Sequence, residues 1–159
     1  MKKILLFLLL AVCAMPVVNA QVRGKAKVAV YVTGKMGNVE RKLISSKALS
    51  CLVRSDRYVA LERTDSFLNA IMKEQDFQLS GEVSDEQVAE IGAKYGARYV
   101  AVFDANKTPD DYCLMSARLV DVETGVIIKS VDGERIIDST ADLIGLTNNL
   151  SYRLFVQSK

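Results

Sequence analysis

The strongest constraint on the fold of this chain is a change in its apolar periodicity. Up to Phe103, short β-branched runs alternate with segments of helical period. From Tyr112 onward, two runs of strand character follow each other with only a tight turn between them. Strands separated by a helix favour parallel pairing, whereas strands joined by a tight turn run antiparallel. One mixed sheet covered by helices accommodates both.

Lys27 to Thr33 (KVAVYVT) reads as a buried strand. Gly34 to Asn38 is a turn, and Val39 to Ser55 a helix whose stripe is Ile44, Ala48, Cys51 and Leu52. Tyr58 to Arg63 is the second strand. Thr64 or Asp65 then caps a helix with the apolar face Phe67, Leu68, Ile71 and Met72, ending at Ser80-Gly81. Ser84 to Gln87 forms a capping box for the next helix. Val88, Ile91 and Tyr95 are its inner face, and Gly96 is its left-handed end. Arg98 to Phe103 is a third strand and Asn106 to Asp111 a turn-rich loop. In the fourth strand, Tyr112 to Val122, Cys113, Met115, Ala117 and Leu119 share one face. Glu123-Thr124-Gly125 turns the chain into a fifth strand, Val126 to Glu134. Ser139 opens a last helix with Leu143, Leu146, Leu150 and Leu154 as its stripe. The expected fold is α/β, in the order β-α-β-α-α-β-β-β-α, with about five strands and about four helices.

The first residues address the chain. Lys2 and Lys3 precede the uncharged run Ile4 to Ala14, then Pro16, then Val18-Asn19-Ala20. Basic, apolar and small-residue regions in that order make a secretory signal. The run is shorter than the roughly 20 residues a membrane span needs. Cleavage is expected after Ala20, leaving Gln21 to Lys159 as a single domain in the periplasm or at the outer membrane, with no transmembrane segment. The alternative is lipidation at Cys13. It is disfavoured because Val12 stands where such sites carry a small residue.

Composition excludes several kinds of chemistry. The chain has no histidine, which removes His-based acid–base catalysis, Ser-His triads and the common His metal sites. The formal charge of +2 is that of Lys2 and Lys3 alone. The remainder is neutral and lacks the basic footprint of nucleic-acid binding. Cys51 and Cys113 both fall on buried stripes and read as core thiols, although export would permit a disulfide between them. Asp110 and Asp111 read as a solvated turn. Asp85, Glu86 and Glu90 suit a helix N-terminus instead of a metal site. Gly34-Lys35-Met36-Gly37 lacks phosphate-loop spacing. No cofactor and no catalytic set is expected.

The stretches YVALERTDSFLNAIMKEQDFQLSG, AEIGAKYGARYVAVFD and ARLVDVETGVIIKS, in this order, resemble the CsgG-like superfamily. That superfamily holds the curli-secretion channel, the LpoB-type activators of penicillin-binding proteins and the TolB N-terminal domain. The matching motifs shape turns and helix ends, so no functional residue carries over from them. The membrane hairpins of the channel are not expected. A membrane strand needs about 9–11 residues, and only a short polar loop with Pro109 lies between Asp104 and Tyr112. The resemblance implies a non-catalytic interaction module of the cell envelope with a protein partner. An oligomeric part of a curli-type secretion apparatus, hence a homo-oligomer, is the alternative; a carboxylate- or serine-based enzyme is the last. Partner contacts are expected on three loops flanking the sheet. Their residues are Lys35, Met36 and Asn38; Lys107, Asp110 and Asp111; and Asp132 and Arg135.

Overall fold

The computed structural model describes residues 24–61 and 84–157. The expected helix from Thr64 or Asp65 to Ser80-Gly81 and the signal region lie outside the described residues, as does the end of the second strand at Arg63. The elements are β1 (Ala26–Thr33), α1 (Asn38–Val53), β2 (Tyr58–Ala60), α2 (Asp85–Lys94), β3 (Tyr99–Lys107), β4 (Tyr112–Asp121), β5 (Ile127–Ile136) and α3 (Thr140–Phe155). Three helices are thus present among the described residues, against the four expected.

The sheet has five strands in the order β2-β1-β3-β4-β5. β1 pairs in parallel with β2 and β3, while β3, β4 and β5 pair antiparallel. The change of periodicity in the sequence therefore corresponds to a change of pairing at β3, the one strand that takes part in both kinds.

α1 and α3 lie together on one face. They cover Val28, Val30 and Val32 of β1, Ala101 and Phe103 of β3, and the expected row Cys113, Met115, Ala117 and Leu119 of β4. Leu143, Leu146, Leu150 and Leu154 of α3 are all buried in this core, as the leucine spacing predicts. Phe103 and Phe155 meet at 6.4 Å between ring centroids. Each fully buried side chain of this size contributes roughly 1.5–3 kcal/mol. α2 lies on the opposite face, where Val88, Ala89 and Ile91 pack on Ala29, Tyr31, Val100, Val102 and Val120.

The helix ends follow local chemistry. Ser84 Oγ accepts from the Gln87 amide at 3.4 Å, and the Gln87 side chain accepts from the Ser84 amide at 3.0 Å. Gly96 takes φ +70°, as expected of a left-handed helix end. A second capping box, Ser139 with Asp142, opens α3.

Two boundaries depart from expectation. β3 runs on to Lys107, because Asn106 and Lys107 continue the ladder opposite Leu114 and Cys113. β5 runs on to Ile136, so Asp132 and Arg135 lie within a strand and not on a loop. The Asp132-Gly133 pair has the composition of a turn, but Gly133 pairs with Met115 inside the ladder. A Cβ there would sit 3.2 Å from Leu146 and 3.3 Å from Leu150. The glycine serves close approach of helix to sheet.

Candidate interaction surface

One end of the sheet collects chain segments that are far apart in sequence. The parallel strands β1 and β3 finish there, β4 begins there, and β5 hands over to α3 there. The β1–α1 turn opens at Gly34, with φ +101°. A Cβ on Gly34 would lie 2.2 Å from the Ala105 carbonyl oxygen, so only glycine lets the turn close onto β3. The Lys35 amide donates to Asn106 Oδ1 at 2.9 Å, and the Lys107 amide donates to the Lys35 carbonyl at 3.3 Å. Arg41, one turn into α1, donates to the carbonyls of Gly34 at 2.7 Å and Met36 at 3.1 Å.

The β3–β4 loop is tied to the same structure. Thr108 accepts from the Asp111 amide at 3.2 Å and donates to the Tyr112 carbonyl at 2.8 Å. Asp111 has φ +60°, and its carbonyl accepts from the Ile137 amide at 2.8 Å. Lys107 Nζ meets Asp111 Oδ1 at 2.7 Å. That bond, first among the causes, raises the Lys107 pKa and keeps the ammonium charged. Between α1, the end of β3 and the start of α3 opens a cavity of about 470 Å³, lined among others by Val39, Leu43, Lys107, Ile137 and Ser139.

Of the residues expected to contact a partner, Lys35, Met36, Asn38, Lys107, Asp110 and Asp111 come together at this end. Met36 packs partly against the main core, whereas Lys35, Asn38, Asp110 and Asp111 are exposed. Arg135 joins them from β5 through an ion pair of 3.2 Å with Asp142 in the first turn of α3. Asp132 does not: its pairing row is Ser116 and Asp104, in the middle of the sheet.

No family model and no curated protein matches the chain. Solved structures do. The chain is similar to PelC from Paraburkholderia phytofirmans, crystallised as a dodecamer. The two are 17% identical with a TM-score of 0.53, over 85% of this chain and 91% of PelC. It is similar to the LpoB C-terminal domain from Salmonella enterica, at 19% identity and a TM-score of 0.50, over 74% of this chain and 87% of that domain. A lipoprotein from Neisseria meningitidis matches at 14% identity and a TM-score of 0.51, over 80% of this chain and 94% of the lipoprotein.

The fold is that of PelC and the LpoB domain. It is also the fold that the motif order implied through the CsgG-like superfamily.

Within this LpoB-like fold, the side chains expected to be inert are buried. Cys51 and Cys113 are free and buried, and burial, the largest cause, raises both thiol pKa values. Such thiols stay protonated at neutral pH and are poor nucleophiles. Among the described residues no three His, Cys, Asp or Glu side chains gather as metal ligands, and no helix is long and apolar enough to cross a membrane.

Three charged constellations escaped sequence reasoning. Arg98 bridges to Asp121 at 2.8 Å and to Glu123, while Asp121 accepts from the amides of Glu123 and Thr124 at 2.9 and 3.2 Å. This cluster locks the β4–β5 turn at the far end of the sheet. Arg118 pairs with Asp85 at 2.8 Å, holding the start of α2 to β4. Arg135 and Asp142 are the third. Each joins residues from different elements, so no local spacing announces it. Only Ser139 and Asp142, three residues apart before an apolar stripe, carried a readable signal.

Proposed function

We propose that this chain is an exported, non-catalytic protein-interaction module of the bacterial cell envelope. The observation that carries this is the likeness to PelC over 91% of that protein and to the LpoB domain over 87% of that domain. The secretory pattern of Met1 to Ala20 supports export, with cleavage behind Ala20 and action in the periplasm or at the outer membrane. The missing histidines support a role in binding instead of chemistry. The partner is a protein, and its contact surface is the sheet end formed by Lys35, Met36, Asn38, Lys107, Asp110 and Asp111, with Arg135 at its margin.

A photo-crosslinking residue placed singly at Lys35, Asp110 and, at the opposite end, Glu123 tests this in intact cells. The expected result is one reproducible heterologous adduct from the first two positions and none from the third. Equal adducts from both ends, or none from any position, overturn the assignment. A second reading, a subunit of an oligomeric secretion apparatus, is favoured by the dodecameric state of PelC.

A further inference from the structure

We propose that the far end of the sheet, opposite the partner surface, rests on an anionic membrane, with Val126, Ile127 and Ile128 entering its headgroup layer. This goes beyond the protein-partner reading, which concerns the other end of the molecule.

β5 leaves the β4–β5 turn with three aliphatic residues in a row. Val126, Ile127 and Ile128 are 57%, 44% and 45% exposed. Val53, where α1 finishes at the same end, is also exposed. β5 is an edge strand, and an open edge can take up a further strand. This edge is guarded. Lys129 pairs with Leu119 and Ile127 with Val120, so Ile128 is an extra residue in a bulge. A bulge twists an edge away from further pairing. Further along the strand, Arg153 donates to the Asp132 carbonyl at 2.8 Å. Nor does the aliphatic run form one flat face for a protein partner, because successive strand side chains point to opposite sides. A fluid lipid layer can surround such a projection from every side.

Cations stand around it. Lys129 and Arg153 line a groove of about 480 Å³ together with Ile127 and Ile128. Lys25, Lys27, Arg54 and Arg57 are exposed at the same end. Hydrogen bonds tie these segments together there. Lys25 Nζ donates to the Ser55 carbonyl at 3.4 Å, and the Ala26 amide to the Arg57 carbonyl at 3.3 Å. The Ser55 hydroxyl donates to the Phe155 carbonyl at 3.3 Å, and Lys129 Nζ to the Gln157 carbonyl at 2.8 Å. Of the acidic residues nearby, Asp121 and Glu123 are held by Arg98, and Glu90 lies 3.8 Å from Lys94. Cations outnumber anions at this end among the described residues, although the chain beyond Ala20 is neutral. Folding has segregated charge that composition shows as balanced. Basic side chains can lay their stems along apolar surface while their heads reach phosphate. Apolar insertion combined with such cations holds a protein on an anionic bilayer.

The course of the chain agrees. β1 begins at this end with Ala26. From Ala20, the expected end of the signal, to Gly24 even a fully extended chain spans at most about 14 Å. A signal held in the bilayer therefore delivers this end to the membrane and leaves the partner surface facing away.

The chain from Gln21 to Lys159 is cosedimented with vesicles of phosphatidylcholine alone and of phosphatidylcholine mixed with phosphatidylglycerol. Binding is expected to the anionic vesicles and should weaken as salt rises. Lys129→Glu with Arg54→Glu should lower it about tenfold or more. Lys42→Glu with Lys47→Glu, the same change of charge on the rest of α1, should leave it nearly unchanged. Ile127→Ser with Ile128→Ser should lower it about tenfold and keep its salt dependence. As a second measurement, an environment-sensitive fluorophore is placed at Ile127→Cys or at Asp110→Cys; Cys51 and Cys113 are buried and escape labelling. Bound vesicles should shift the emission of the first label to the blue and leave the second unchanged. Equal binding to both kinds of vesicle, equal loss in the Lys42 and Lys47 variant, or an unshifted label at position 127 would overturn the proposal. Tight binding of soluble polyphosphate without a label shift would assign this end to an anionic polymer instead. No envelope protein is present, so this result and the crosslinking result at Lys35 and Asp110 stand or fall separately.

Discussion

On β4, successive side chains meet two different environments. Cys113, Met115, Ala117 and Leu119 are at most 1% exposed beneath α1 and α3, whereas Leu114, on the other side of the same strand, is 49% exposed. Ser116 and Arg118 follow Leu114 on that side and are half-buried. Strand alternation has sorted the residues of one segment into two tasks. The helix-covered face supplies the cohesion. The other face is closed over β3 and the end of β4 by α2 and presents mixed polar and apolar surface around Leu114. Substitutions on the two sides of β4 should therefore differ in their cost to stability.

The largest test of that separation is on α3. Leu150→Ala removes a fully buried side chain and should cost about 2–5 kcal/mol in urea denaturation. Leu114→Ser on the other face should stay within about 0.5 kcal/mol. Equal losses would break the contrast. Next is Gly34→Ala, which combines positive φ with a backbone collision against Ala105. It should cost about 1–3 kcal/mol, and amide exchange should rise in the loops of Lys35 and Lys107 before it rises in β4.

A smaller effect is expected for the ion pair that anchors α2. Arg118 and Asp85 are 21% and 24% exposed, so solvent screens them in part. A double-mutant cycle with Arg118→Met and Asp85→Asn should yield a coupling of about 0.5–1 kcal/mol. A coupling of several kcal/mol would make the second face as cohesive as the first.

The smallest effect concerns pH. The Ser139 hydroxyl donates to Asp142 Oδ2 at 2.7 Å. This bond is the first cause of a lowered Asp142 pKa, with nearby Arg135 assisting. A carboxylate with a depressed folded pKa contributes stability that is fully present above the unfolded value of about 3.9. That contribution is lost as pH falls through the lower folded value. The melting temperature of Asp142→Asn should thus lie slightly below wild type near neutrality and converge with it in acid. A gap of constant size across the titration would assign Asp142 no electrostatic role.

Much of the architecture was legible because it rests on periodicity. The β-branched run of β1, the leucine stripe of α3 and the alternation of β4 each depend on neighbours within a few residues, and all three were read at nearly their observed positions. The candidate sheet end was legible only in part. Lys35 and Lys107 were chosen as loop residues, yet their proximity comes from the parallel register of β1 with β3, which no local pattern encodes. Asp132 and Arg135 were expected on a loop and lie within β5, where Gly133 between them pairs with Met115. The deciding contact, α3 against Gly133, comes from residues more than ten positions away.

The sequence by itself determined the class of structure: helical or strand period, the order of elements, the caps at Ser84 and Gly96, and the absence of histidine chemistry. These follow from backbone geometry and side-chain identity at short range. Tertiary structure alone decided which charges meet, as with Arg98 and Asp121 or Arg118 and Asp85. It also decided which apolar residues stay uncovered, as with Val53 and Leu114. Those outcomes depend on strand order and helix placement, which are settled by the burial of the whole chain at once.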